Sequence, residues 1–102
     1  MKTAGFRLSP AAHADLRRIR AWYKREVGPG AAAQALAAIE QALTQLQHGV
    51  SIDAATRPDL PIGVYRVVAK RHLILFEMHG EIALVLRIVH AARNLLSALD
   101  EA

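Results

Sequence analysis

The sequence predicts an α+β fold in which an antiparallel helical hairpin packs on one face of a small sheet. Three observations carry that reading. Two successive stretches repeat apolar residues at intervals of three and four, with only Gly28, Pro29 and Gly30 between them. Three later stretches rich in Val, Ile and Leu follow one another through two-residue turns. The chain is 53% hydrophobic and 22% charged over 102 residues, which suits one packed core and is too short for two. Residues 1–102 therefore read as a single domain.

Residues 3–8 carry a weak strand pattern, with Phe6 and Leu8 on one side and Arg7 on the other. Ser9 and Pro10 then announce a helix, because a Ser side chain caps free N–H groups and Pro suits the first helical position. Ala12, Leu16, Ile19, Tyr23 and Val27 form its buried stripe. Arg17, Arg18, Arg20, Lys24 and Arg25 occupy much of the remaining surface, a basic face that any solvated helix tolerates and an acidic partner would favour. Trp22 lies next to Tyr23, and only one of two neighbouring aromatics can point straight at the core. The other packs at the helix edge or meets a partner.

A second helix is predicted over 31–48, where Ala32, Ala35, Leu36, Ile39, Leu43 and Leu46 repeat the same spacing before Gly49 ends it. Ten of the residues from 31 to 46 are Ala or Leu, so propensity and pattern agree. The short link forces the two helices to fold back on each other. Residues 50–61 form a loop carrying Asp53, Arg57, Pro58, Asp59 and Pro61. Strands are then predicted over 62–69 and 72–78, joined by Lys70 and Arg71, with His79 and Gly80 turning into a third strand from Glu81. In that last strand Ile82, Leu84, Leu86 and Ile88 alternate with Ala83, Val85, Arg87 and Val89.

Helices on one face leave the other uncovered. If Tyr65, Val67, Ile74, Phe76, Leu84 and Leu86 face the helices, the open face holds Val64, Arg66, Val68, Leu75, Glu77, Val85 and Arg87. Such a partly apolar patch rimmed by charge is a common mark of a partner site. His90 and Arg93 follow where the strand leaves the sheet.

With no Cys there is no disulfide framework and no cysteine-based metal site, which fits a reducing cytoplasm. No signal pattern and no apolar run of about 18 residues is present, so the chain reads as soluble, unexported and without a membrane span. Thirteen Lys and Arg against nine Asp and Glu give a formal charge of +4, which favours nucleic acid or an acidic protein as partner. His13, His48, His72 and His79 are scattered without metal-site spacing, and the glycines lack phosphate-loop spacing, so neither metal nor cofactor is expected.

The opening phrase LSPAAHADL, the helix ending in Gly28 and Pro29, and the closing phrase LRIVHAARNL, taken in their order and spacing, resemble the ParE branch of the ParE/RelE toxin superfamily. The most specific pieces are Leu8, Ser9 and Pro10 with Asp15 and Leu16, and Leu86 and Arg87 leading through His90 to Arg93. The likeness spans about residues 6–96. It implies one strand, a helical hairpin and a three-stranded antiparallel meander. It further implies a type II toxin-antitoxin toxin that arrests growth and forms a hetero-oligomer with a cognate antitoxin laid over its open face. ParE-like members are associated with inhibition of DNA gyrase, whereas RelE-like members cut messenger RNA on the ribosome.

RNA cleavage by 2′-OH attack needs a base, an acid and cations for the phosphate. RelE-like members supply these from Lys, Arg and a late Tyr, or from Glu, Arg and His. Here no Tyr follows Tyr65 and the central loop has no Lys. The remaining candidates are Arg66, Lys70, Arg71, Glu77, Arg87, His90 and Arg93, from which Arg66, Arg87 and His90 with Glu77 are the set a nuclease would need. Arg87 has a plainer reading as the cross-strand partner of Glu77. The balance favours a gyrase-binding toxin without chemistry of its own; a ribosome-dependent endoribonuclease and an inactive toxin-like binding module remain the alternatives. The expected partner surface is Trp22, Arg66, Leu75, Glu77, Val85, Arg87, His90 and Arg93.

Overall fold

The computed structural model describes residues 2–51 and 55–100, so Asp53 lies outside the described residues. In chain order the elements are β1 (Gly5–Leu8), α1 (Pro10–Glu26), α2 (Pro29–His48), β2 (Tyr65–Ala69), β3 (His72–His79), β4 (Ile82–His90) and α3 (Leu95–Asp100). The sheet order is β1-β4-β3-β2, with β1 parallel to β4 and the last three strands an antiparallel meander.

The hairpin forms where the spacing predicts it, except that Val27, expected in the buried stripe, lies just past the end of α1 and is exposed. Ser9 caps α1, its Oγ accepting the Ala12 N–H at 3.0 Å, with Pro10 in the first turn. Gly28, at φ 133, reverses the chain into α2, a backbone angle that a side chain would resist. Ala12 and Ala42 are buried together with Ile39, Leu43 and Leu46, so the small side chains let both helices approach the sheet closely. Tyr65, Val67, Ile74 and Phe76 meet them from β2 and β3. β2 begins at Tyr65 because the Val64 N–H bonds the Pro61 carbonyl in a turn through Gly63, at φ 88.

Two features differ from the sequence pattern. The first is the inward face of β4, where Phe76 pairs with Val85 and Leu75 with Arg87, leaving Leu86 as the extra residue of a bulge. Ala83 and Val85 face the helices before the bulge and Ile88 does so after it, while Leu84 and Leu86 are only partly buried and stand outside the core. Strict alternation had assigned those positions the other way round. The second is α3, a short helix that the sequence reading did not anticipate. Asn94 Oδ1 accepts the N–H groups of Leu96 and Ser97 to start it, and Leu95 and Ala98 close a second small core with Leu60, Leu73, Leu75 and Val89. The face expected to be open is therefore partly covered by the chain itself.

β1 ends at Leu8 opposite Val85, so the edge of β4 beyond that point needs other partners. The start of α1 supplies them. The Ser9 N–H bonds the Val85 carbonyl at 2.9 Å, Ser9 Oγ donates to the Leu86 carbonyl at 2.8 Å, and Asp15 Oδ2 accepts the Ile88 N–H at 2.9 Å. Arg87 completes the arrangement, its Nε and Nη2 bonding the two Asp15 oxygens at 2.7 and 2.8 Å and its Nη1 the Ala98 carbonyl at 2.6 Å. Asp15 and Arg87 are 3% and 2% exposed, so the pair is fully desolvated. Arg87 thus ties α1, β4 and α3 together and does not pair with Glu77, whose carboxylate takes the His79 ring nitrogen at 2.8 Å instead.

Burial alone would raise the Asp15 carboxyl, but hydrogen bonds from Arg87, the Ile88 N–H and Arg18 outweigh it and hold the group below its ordinary 3.8. The stability this contributes is present above pH 3.8 and is lost as pH falls through the lower folded value. Asp15→Ala strands a buried guanidinium and is expected to cost about 3–5 kcal/mol in urea denaturation. The Asp15→Leu/Arg87→Met double variant, which removes both charges, should recover much of that loss. Equal or greater destabilisation of the double variant would show that the pair is not coupled in this way.

Candidate functional site

The structure separates the expected partner residues into three groups. Val85 is wholly buried against the helices, because the register counted from the β3–β4 turn sets it opposite inward-facing Phe76. Leu75 is wholly buried on the far face, under α3, and Arg87 is consumed by Asp15 and the α3 carbonyl. These three cannot meet a partner in this conformation, and the expectation of an accessible surface there is corrected on each count. Arg66 and Glu77 form the second group, half-buried and part of the far face. Arg66 Nε is buried with no hydrogen-bond partner among the described residues.

Trp22, His90 and Arg93 are the third group, and the fold does bring them together. They line a groove of about 820 Å³ between the C-terminal half of α1, the start of β3 and the end of β4. Trp22 is 49% exposed, and its ring meets Tyr23 edge-on at 84° with centroids 5.0 Å apart. Arg18, Arg25 and Arg71 also line the groove, so among the described lining residues there are four arginines and one carboxylate, Asp15, which already serves Arg87 and the β4 edge. The groove is strongly cationic with an aromatic wall.

At its floor lies a histidine pair that the sequence reading left unconnected. Counting back from the β3–β4 turn in strict alternation sets His72 opposite Val89, but the extra residue at Leu86 shifts the register and sets it opposite His90. The two rings approach edge-on with centroids 5.7 Å apart, and His72 also packs against Tyr23 at 6.1 Å. His90 Nδ1 accepts the Ala92 N–H at 3.1 Å, which leaves its Nε2 to carry the ring proton. His72 is 6% exposed and hydrogen-bonds to no described residue.

The nuclease set is not assembled. Arg66 and Arg87 share one row across the sheet through Leu75, His90 sits three positions away opposite His72, and Glu77 belongs to a further row opposite Leu84. With Arg87 bidentate on Asp15, no free guanidinium from that position can meet a scissile phosphate. Among the described residues no group of three His, Asp or Glu is placed to hold a metal, and no helix is long and apolar enough to cross a membrane.

Burial, followed by the neighbouring His90, pushes the His72 imidazole below its ordinary 6.5. The fold prefers the neutral ring, so this contribution to stability is full above pH 6.5 and is lost as pH falls through the lower folded value. Urea midpoints taken at neutral and mildly acidic pH should therefore fall further with acid in the native chain than in His72→Gln. Equal acid sensitivity in both would mean that the ring is not held neutral by its surroundings.

Comparison with known proteins agrees with this architecture. A model of the ParE toxin of the type II toxin-antitoxin system ParDE matches residues 6–95, from β1 to the first residue of α3. A solved structure described as the chromosomal ParDE toxin-antitoxin system from P. aeruginosa contains a chain that is 27% identical, with a TM-score of 0.73, covering 86% of this chain and 96% of that one. No curated protein matches at a significant level. With one strand, a helical hairpin and a meander spanning nearly the whole match, this chain belongs to the ParE toxin family of type II toxin-antitoxin systems.

Proposed function

We propose that this ParE-family toxin arrests growth by binding DNA gyrase, with no chemistry of its own, and that a cognate antitoxin neutralises it in a hetero-oligomer. The observation that carries this reading is the sealing of Arg87 into the Asp15 pair. That contact removes a cation from the Glu, Arg and His set that an endoribonuclease would need, and leaves a folded, basic binding surface. A target and an antitoxin of this kind place the chain in the cytoplasm.

The antitoxin is read as crossing the part of the far face that α3 leaves accessible. Arg66 with its unsatisfied Nε, exposed Val68 and half-buried Glu77 present the mix of charge and apolar area that such a segment would cover. Leu75, Val85 and Arg87 support that surface from within and do not belong to it.

Purified toxin should abolish supercoiling of relaxed plasmid by gyrase, and the antitoxin encoded beside it should restore the activity. Unaffected supercoiling at large toxin excess would remove the gyrase reading. Cuts at the ribosomal A site, mapped by primer extension after induction, would replace it with ribosome-dependent cleavage. Arg66→Ala is expected to weaken the antitoxin complex about tenfold, the scale of one lost charge-assisted hydrogen bond, measured by calorimetric titration. An unchanged affinity would move the antitoxin off this edge.

A further inference from the structure

The groove beside Trp22 is not used by the gyrase reading, and its features point to a small ligand of definite chemistry. Its volume of about 820 Å³ falls in the range that encloses a cofactor-sized molecule. Among the described residues that line it, Arg18, Arg25, Arg71 and Arg93 are basic and Asp15 is the one acidic side chain. Arg18 shares that carboxylate with Arg87, and Arg25 meets Glu26 at 2.9 Å, whereas the Arg71 side chain has no ion pair among the described residues. Donors from α1, from the β2–β3 turn and from the end of β4 thus converge on one cavity.

Two further observations separate this from an ordinary solvated basic patch. His72 is 94% buried as a residue, yet its ring opens into the groove without a hydrogen bond to any described residue, so its nitrogens are open to the groove and available to a ligand. Trp22 contacts Tyr23 edge-on and is half exposed, which leaves ring surface free for stacking. A compact group with several acceptor oxygens and more than one negative charge satisfies donors crowded in this way better than carboxylates spaced along a peptide. A flat aromatic joined to that group would cover the tryptophan.

We propose that this groove is a nucleotide-binding site, with the base stacked on Trp22 and the phosphates held by Arg71 and the His72–His90 floor. The ligand is either a free nucleotide or the exposed end of a nucleic-acid strand, which present the same chemistry. Arg18, Arg25 and Arg93 supply the surrounding positive field. The site lies apart from Arg66 and Glu77, so occupancy of one surface leaves the other open.

Trp22 is the sole tryptophan of the chain, so its fluorescence reports directly on the groove. Full-length toxin is titrated with ATP, inorganic triphosphate, adenosine, a short single-stranded oligonucleotide and polyglutamate. Saturable quenching by ATP is expected, with adenosine and triphosphate each weaker, and Arg71→Ala or His72→Gln should weaken ATP about tenfold. Arg71 is exposed on a turn, so its variant tests the site even if His72→Gln alters folding. A response to the oligonucleotide but not ATP assigns the site to a strand end. Triphosphate equal to ATP would reduce the groove to a bare anion site and overturn the proposal. A response to polyglutamate alone, or to nothing, would overturn it as well, whatever the outcome with gyrase.

Discussion

The constraint on which the structure depends is the mismatch between a first strand of four residues and the nine-residue strand it pairs with. Beyond Val85, the edge of β4 that faces β1 has backbone groups in the interior with no strand beside them, and buried groups of that kind must be satisfied. Ser9 and Asp15 take the place of the missing strand. A carboxylate in that position would be prohibitively desolvated alone, so Arg87 accompanies it, and Arg87 in turn is completed by the end of α3. A polar chain of bonds runs from the first helix through the central sheet to the last helix. Its residues, Ser9, Asp15 and Arg87, belong to the phrases by which the sequence resembles its family.

The bulge at Leu86 is the second organising feature, and it acts on both core and surface. On the core side the turn register sets Ala83 and Val85 beneath the hairpin, and the bulge then brings Ile88 to that face opposite Ile74 and sets Arg87 opposite Leu75, within reach of Asp15. On the surface side it advances the register by one, and His90 rather than Val89 meets His72. One extra residue therefore decides where the ion pair forms and what lines the floor of the cationic groove.

Much of this was legible in the sequence, for physical reasons that can be named. Helical periodicity, the Ser9 and Pro10 start and the glycine stops depend on local interactions, and they located the hairpin closely. The meander followed from short turns and β-branched residues. The inward face of β4 was misread because Leu84, Val85 and Leu86 put aliphatics on both faces, so a period-two count could not choose between them; the turn register, which sets Val85 opposite Phe76, and the bulge after it decide the face. α3 was missed because six residues are too few to show a period, although Asn94 ahead of Leu95, Leu96, Ala98 and Leu99 carried the capping signal. Of the expected partner residues, Trp22, His90 and Arg93 converge in one groove, while Leu75, Val85 and Arg87 are interior. The sequence offered aromatic and charged types at strand and helix ends, but only the register could say which of them meet.

The parallel pairing of β1 with β4 has a consequence for how the protein comes into being. The strand at the centre of the sheet is the last strand to leave the ribosome, and the contacts of Ser9, Asp15 and Leu8 with it span more than seventy residues of chain. The hairpin can form early from local contacts, but its apolar underside has no complete sheet to rest on until β4 is made. Until β4 is made the chain is thus an unfinished fold with an exposed hydrophobic face. An antitoxin that recognises the completed sheet can engage only once β4 has been made.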